Sequence, residues 1–332
     1  MLDWNKIIFS DEISFNKKAL KVFDYQLKNN EIYRRYCKAL GVGNPNSAQK
    51  IPLLPIKAFK DTEVISADED SEFNDSQLKF KSSGTSAMQP STHQVLDASI
   101  YEQSLLHGFR QFYDLENAVI WGYTPGYSEN PHSSLIYMIQ KLIEQDDTGC
   151  SRFLPLDEPL NKQNIESIKK SGKQLILFGA AFGLLDLLQM KAAKLPSNSI
   201  IIETGGMKTH RRELTRDEMH QKLAEGFGLD ISRIHSEYGM CELLSQAYST
   251  GGNWFRSIPW MQVSVHNPRE PQHVLPPFQK GLIGVIDLAN VHSCSFILTG
   301  DKGMMDDKGR FQVLGRWNSK NLRGCNFLIE ED

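Results

Sequence analysis

The amino-acid sequence predicts an α/β protein built on a mainly parallel sheet, with a smaller β-rich subdomain toward its C-terminal end. Two observations carry this. From residue 78 onward, short apolar β-rich runs at Ala118 to Gly122, Gln174 to Gly179, Ser199 to Glu203 and Ser232 to Ser236 alternate with helical stretches. Glycines 122, 179, 205 and 239 stand at or just beyond the carboxyl ends of those runs, where open parallel sheets bind their ligands.

The elements follow in chain order. Ser14 to Asn29 and Glu31 to Leu40 have helical apolar spacing, ended by Gly41, Gly43 and Pro45 and the prolines at 52 and 55, so residues 1–60 read as a helical lead-in. Residues 61–77 hold seven acids and no base and read as a solvated acidic loop. Residues 78–260 form the α/β core. Residues 261–332 form the β-rich part, with Gly281, Gly284, Gly300 and Gly303 as turns.

Composition narrows the function. Of 332 residues, 37 are Lys or Arg against 40 Asp or Glu, a net charge of -3 that offers no general attraction to nucleic acid or anionic lipid. The longest strongly apolar run, Leu175 to Leu185, is 11 residues and is followed by Asp186, too short to cross a bilayer, which takes about 20. The first residues, MLDWNKIIFSDEI, lack the pattern of a secretion signal, so a cytoplasmic location is expected. The five cysteines, at 37, 150, 241, 294 and 325, contain no C-x-x-C pair and indicate neither a zinc site nor a disulfide framework.

The richest local signal is Phe80-Lys81-Ser82-Ser83-Gly84-Thr85-Ser86-Ala87-Met88-Gln89-Pro90-Ser91. Four hydroxyls and a glycine within Ser82 to Ser86 let backbone N–H groups converge beside hydroxyl donors, which suits phosphate oxygens. By composition alone a polar Ser/Gly linker explains it equally. No Walker A loop occurs in the chain, and Gly41-Val42-Gly43 lacks the third glycine and the preceding strand of a dinucleotide fingerprint. Gly84-Thr85-Ser86 begins like the G-x-S-x-G elbow of a serine hydrolase, but Met88 occupies the place of its last glycine.

This segment resembles the S-S-G-T-[ST]-G phosphate loop of the adenylate-forming superfamily. Tyr238-Gly239-Met240-Cys241-Glu242 resembles its Y-G-x-T-E motif, Thr299-Gly300-Asp301 its T-G-D, and Gly315-Arg316 its G-R hinge motif, all in the family's order. Ile51-Pro52-Leu53-Leu54-Pro55-Ile56 with Phe59-Lys60, Ser133 to Met138, Thr204-Gly205-Gly206 with Lys208, and Leu322-Arg323-Gly324-Cys325 are similar to one branch, the acyl-protein synthetases of bacterial luminescence (LuxE-like). Phenylacetate-CoA ligases are more distant relatives.

The resemblance implies the large N-terminal domain of the adenylate-forming fold without its small C-terminal domain, and a ligase that joins a fatty or related acid to AMP and passes the acyl group to a thiol. Residue by residue, it implies that Ser82, Ser83, Gly84, Thr85 and Ser86 wrap the phosphates of ATP, and that Gly205 and Gly206 lie against the adenine. Tyr238 and Gly239 are nearby in this reading. Glu242 holds Mg²⁺, Asp301 accepts from the ribose hydroxyls, and Arg316 sits close to the same sugar. Read singly, Asp301 caps a turn and Arg316 is a surface ion-pair partner.

Cys325 matches the acyl-accepting cysteine of the branch, and Lys320 and Arg323 are placed to favour its thiolate. The other reading is a buried structural cysteine, with transfer going directly to coenzyme A or an acyl-carrier protein. An acyl reductase is the further partner implied. Three departures, Cys241 for threonine, Ala87 for glycine and Ser91 for lysine, also leave open a non-catalytic partner subunit.

Overall fold

The computed structural model describes residues 2–68, 77–82, 90–125, 131–190, 193–205 and 214–317. Its N-terminal part is helical, with α1 (Trp4–Phe9), α2 (Phe15–Asn29) and α3 (Glu31–Ala39). Ser14 and Asn30 are the N-caps of α2 and α3, and each side chain accepts a hydrogen bond from the backbone N–H three residues on. The two-residue strand β1 (Leu54–Pro55) and the short helix α4 (Ala58–Asp61) follow.

Strands β2 (Leu78–Lys81) and β3 (Thr92–Val95) form an antiparallel hairpin with Phe80 opposite His93. Phe80 packs edge-on against Tyr101 of α5 (Ala98–Arg110) and against Tyr137, which lies on α6 (Ser134–Ile143) after β4 (Ala118–Tyr123). The chain continues through β5 (Arg152–Phe153), α7 (Lys162–Ser171), β6 (Gln174–Ala180), α8 (Ala181–Gln189), β7 (Ile200–Thr204), α9 (Arg216–Phe227), β8 (Ile234–Tyr238) and β9 (Ala247–Ser249).

These strands make one sheet in the order β5-β4-β6-β7-β8-β9, parallel throughout except for the last pair. The four apolar runs seen in the sequence are β4, β6, β7 and β8, each within two residues of its expected start. They are continuous rather than alternating because both faces are covered. Ile120, Ile176, Phe178 and Ile202 point into one core, and Val119, Trp121, Leu175, Leu177 and Ile201 into the other.

A second, five-stranded sheet contains β10 (Met261–His266), β11 (Gly281–Asp287), β12 (Phe296–Met305) and β13 (Phe311–Arg316). Its remaining strand is β1, which pairs parallel to β12 through Leu54 and Ile297. The N-terminal helices are fastened to this sheet. Tyr33 stacks on Phe296 with ring centroids 5.6 Å apart. Buried Gln26 donates to the carbonyls of Asn290 and Val291 and accepts from Ser295 N, and buried Asn30 donates to Ser293 O. Nothing local in the sequence announces that residues 1–60 belong beside residues 281–305.

Gly179 is a glycine for a steric reason. It pairs with Tyr123 across β6 and β4, and a Cβ placed there would lie 2.3 Å from the Tyr123 carbonyl oxygen, a backbone atom that cannot swing away. Gly179→Ala should therefore destabilise the fold by about 1–3 kcal/mol in urea unfolding, as overpacking does. Gly43→Ala, which meets nothing within 4 Å, should change it by less than about 0.5 kcal/mol.

Candidate functional site

The carboxyl end of β8 is the point to which the motifs return. Three residues at or just beyond it, Glu237, Tyr238 and Glu242, each hold a different part of the chain. Glu237 stands opposite Thr204 in the parallel register, and the Thr204 hydroxyl donates to Glu237 Oε2 at 2.5 Å. This bond ties the ends of β7 and β8 together just before Gly205 and Gly239. A Cβ on Gly205 would meet nothing within 4 Å among the described residues. A Cβ on Gly239 would lie 2.3 Å from Glu237 Oε1, so the carboxyl group needs the glycine beside it.

Glu237 is buried, and that burial pushes its carboxyl up to about 7, helped by the charge of Glu203 and opposed by the Thr204 hydrogen bond. Around it the buried hydroxyls of Tyr101, Tyr113 and Tyr248 are pushed up as well, first by burial and then by the field of Glu237.

Tyr238, the last residue of β8, donates its buried hydroxyl to Asp301 Oδ2 at 2.9 Å. Asp301 Oδ1 lies 3.0 Å from Arg316 Nε, and the two residues are register partners across β12 and β13. Asp301 therefore sits within a strand, not at a turn, and the T-G-D and G-R segments face each other. Arg316 keeps most of its side chain in solvent, so the ion pair itself adds little stability.

Glu242, buried four residues beyond Tyr238, accepts a hydrogen bond from the Ser91 hydroxyl at the foot of β3. Ser91 Oγ also lies 3.0 Å from Ser82 Oγ, and Ser82 Oγ accepts from Ser91 N at 2.9 Å. A serine has one proton to give, and the carboxylate is the stronger acceptor. The order is then Ser82 hydroxyl to Ser91 oxygen, and Ser91 hydroxyl to Glu242.

Of the residues expected from the sequence, Ser82, Gly205, Tyr238, Gly239, Glu242, Asp301 and Arg316 are thus arranged around one strand end. Ser83, Gly84, Thr85, Ser86, Gly206 and Cys325 lie outside the described residues, as do Ala87, Lys208, Lys320 and Arg323. Among the described residues no group of three or more His, Cys, Asp and Glu side chains has metal-holding geometry. A single carboxylate still suits Mg²⁺, which keeps several waters and takes its other oxygens from phosphate. A recess of about 480 Å³ lined by Phe15, Phe112, Arg256, Ile258 and Met261 contains none of the expected residues.

Sequence reading passed over Glu237 and His93, and took Thr204 only as part of a motif. A signal was present for the first, since His235, Ser236 and Glu237 put three polar residues in a strand buried on both faces.

This architecture is that of the adenylate-forming ligases. A 2-hydroxyisobutyryl-CoA ligase, solved with 2-HIB-AMP and CoA, superposes with a TM-score of 0.66 at 11% identity over 90% of this chain and 73% of that one. ATP-bound MatB from Rhodopseudomonas palustris gives 0.54 at 16% identity over 75% of this chain and 50% of that one, so the chain spans about half the length of that structure. At these identities the likeness concerns the fold alone. The long-chain-fatty-acid--luciferin-component ligase of Vibrio harveyi is 24% identical over 342 residues, 93% of this chain and 85% of that protein. The profile of the family "Acyl-protein synthetase, LuxE" matches residues 139–332, more than half of the chain. The chain belongs to that family, whose members are enzymes of the ligase class. Family and fold together support ATP-dependent activation of an acid. Among the described residues, no helix is long and apolar enough to cross a membrane.

The raised carboxyl of Glu237 makes a pH prediction. Its ordinary value is near 4.5 and its folded value is about 7, so between these the folded state holds a proton that the unfolded state has released. Stability from this group is complete below about 4.5 and is lost as pH rises through 7. Urea unfolding at pH 5 and pH 8 should show wild type losing up to about 3 kcal/mol that Glu237→Gln, which cannot ionise, retains. Parallel curves for the two proteins would refute the assignment.

Proposed function

We propose that this protein activates a fatty acid with ATP as an acyl adenylate and then carries the acyl group as a thioester on Cys325. What supports the reading is that three stretches distant in sequence, 238–242, 299–301 and 315–316, meet at the end of β8 in a chain of the LuxE family. The long-chain acid is taken from the name of the Vibrio harveyi relative.

In the first step a carboxylate oxygen of the acid attacks the α-phosphorus of ATP. The bond from that phosphorus to the bridging oxygen breaks, and pyrophosphate leaves with the electron pair. Ser82, Ser83, Gly84, Thr85 and Ser86 donate to the phosphates, and Gly205 and Gly206 lie along the adenine with Tyr238 and Gly239 beside them. Asp301 accepts from the ribose hydroxyls, with Arg316 fixing its orientation through the 3.0 Å ion pair. Glu242 would hold Mg²⁺, which supplies charge neutralisation at the phosphate oxygens when bound. The oxygen of Glu242 that would face the metal is the one that now accepts from the Ser91 hydroxyl, a donor that would also suit a phosphate oxygen.

In the second step the Cys325 thiolate attacks the acyl carbon, the bond from that carbon to the AMP oxygen breaks, and AMP leaves with the pair. The proton of the thiol goes to solvent. The acyl group then passes to a partner, an acyl reductase or an acyl-carrier protein.

ATP–pyrophosphate exchange screened across carboxylic acids of increasing chain length tests the first step, with long-chain acids expected to be best. Glu242→Gln should lower that exchange about 10²- to 10³-fold, the usual cost of losing one transition-state charge partner. Cys325→Ser should leave exchange intact and abolish labelled acyl-enzyme in intact-protein mass spectrometry. Acyl-enzyme surviving that substitution overturns the role of Cys325, and transfer to coenzyme A by the serine variant establishes the direct route. Absence of exchange with every acid overturns activation itself.

A further inference from the structure

The turn that carries Glu242 is held from outside by side chains. After β8 the backbone makes one turn bond of its own, Leu243 N to Met240 O at 3.0 Å. The flanking polar groups are met elsewhere. His93 Nδ1 lies 2.6 Å from the carbonyl oxygen of Cys241, and Asn290 Nδ2 donates to that of Glu242 at 2.8 Å. Leu244 N donates to Asp287 Oδ2 at 2.8 Å, and Ser245 Oγ donates to Asp287 Oδ1. His93, Asp287, Asn290 and Ser245 are all fully buried.

Of these holders His93 is the one that comes from the β2–β3 hairpin. A carbonyl oxygen only accepts, so Nδ1 carries the ring's proton and Nε2 carries the lone pair. That Nε2 is buried with no hydrogen-bond partner among the described residues. A buried acceptor left unpaired costs about 1–3 kcal/mol, and an apolar side chain beside Phe59 would avoid it. Stability alone therefore does not explain a histidine here. Its place in the hairpin does. Ser91 and His93 are two residues apart on the chain entering β3, and together they grip Glu242 on both sides, Ser91 at its carboxylate and His93 at the peptide that precedes it. Ser82 and Ser91, at the facing ends of the two strands of that hairpin, bond to each other.

We propose that His93 is a positioning residue that locks the β2–β3 hairpin, with Ser82 and Ser91 at its facing ends, to the Glu242 turn and so fixes the carboxylate that would hold Mg²⁺. The proposal rests on the functional reading above. It assigns His93 no contact with substrate, and its signature is metal dependence without an effect on acid binding.

Three substitutions separate the donor from the bulk. His93→Leu removes the donor, His93→Asn keeps an N–H near the place of Nδ1, and His93→Gln moves it one bond further out. Two measurements are made on each: the Mg²⁺ concentration for half-maximal ATP–pyrophosphate exchange, and the Mg²⁺-dependent part of ATP binding by calorimetry without acid. His93→Leu and His93→Gln should raise the Mg²⁺ requirement and weaken Mg²⁺-dependent ATP binding about tenfold, the lower end of what losing a metal ligand's support costs. The KM for the fatty acid should stay within about twofold, and His93→Asn should recover most of the loss.

Wild-type Mg²⁺ dependence in His93→Leu overturns the proposal, as do equal losses in all three variants or a loss confined to acid KM. If His93→Leu does not fold, the contrast between Asn and Gln decides in the same way. A wild type that binds Mg²⁺ and ATP but shows no exchange overturns acid activation while the binding measurement still decides on His93. A wild type that binds no ATP overturns both.

Discussion

A parallel sheet covered on both faces confines its polar chemistry to the ends of its strands. Here β4 and β6 and the first three residues of β7 are almost wholly apolar, and burial of Ile176, Leu177, Phe178, Ile201 and Ile202 is complete. Each such side chain contributes about 1.5–3 kcal/mol, which fixes the strands relative to one another before any functional residue is placed. Polar residues gather in β8 and just beyond it, from His235 through Glu237 and Tyr238 to Glu242, and the site inherits its rigidity from the sheet.

The site is also a place where stability is given up. A carboxyl raised to about 7 at Glu237, another raised to about 6 at Asp287, and an unpaired Nε2 on His93 all weaken the fold relative to apolar residues of similar shape. Each is tied to a turn at the end of β8, through Thr204 and Gly239, through Leu244 and Ser245, or through Cys241. Concentration of costly polar groups around one strand end is the physical mark of a preorganised site, since a loop held by satisfied backbone pairing would need none of them.

Much of this was legible along the chain. The apolar runs located four core strands because a strand buried twice has no polar face to interrupt it, and the glycines marked their carboxyl ends. The motif residues Tyr238, Glu242, Asp301 and Arg316 could be read by resemblance because each sits in a short contiguous pattern. Residues such as Glu237, His93 and Asn290 belong to no such pattern. Their importance comes from partners 33 to 148 positions away, as in the Thr204–Glu237 and His93–Cys241 bonds, and no local window contains both ends.

The sequence by itself determined the class of fold, the order of its core strands along the chain and the chemical types gathered in its motifs, because periodicity and composition are properties of neighbouring residues. Tertiary structure alone decided that β1 pairs with β12, that the N-terminal helices brace the second sheet through Gln26 and Asn30, and that the hairpin carrying Ser82 and Ser91 closes onto Glu242. Those are choices of which buried donor meets which buried acceptor, and they are settled only when the apolar cores have brought both into a place without water.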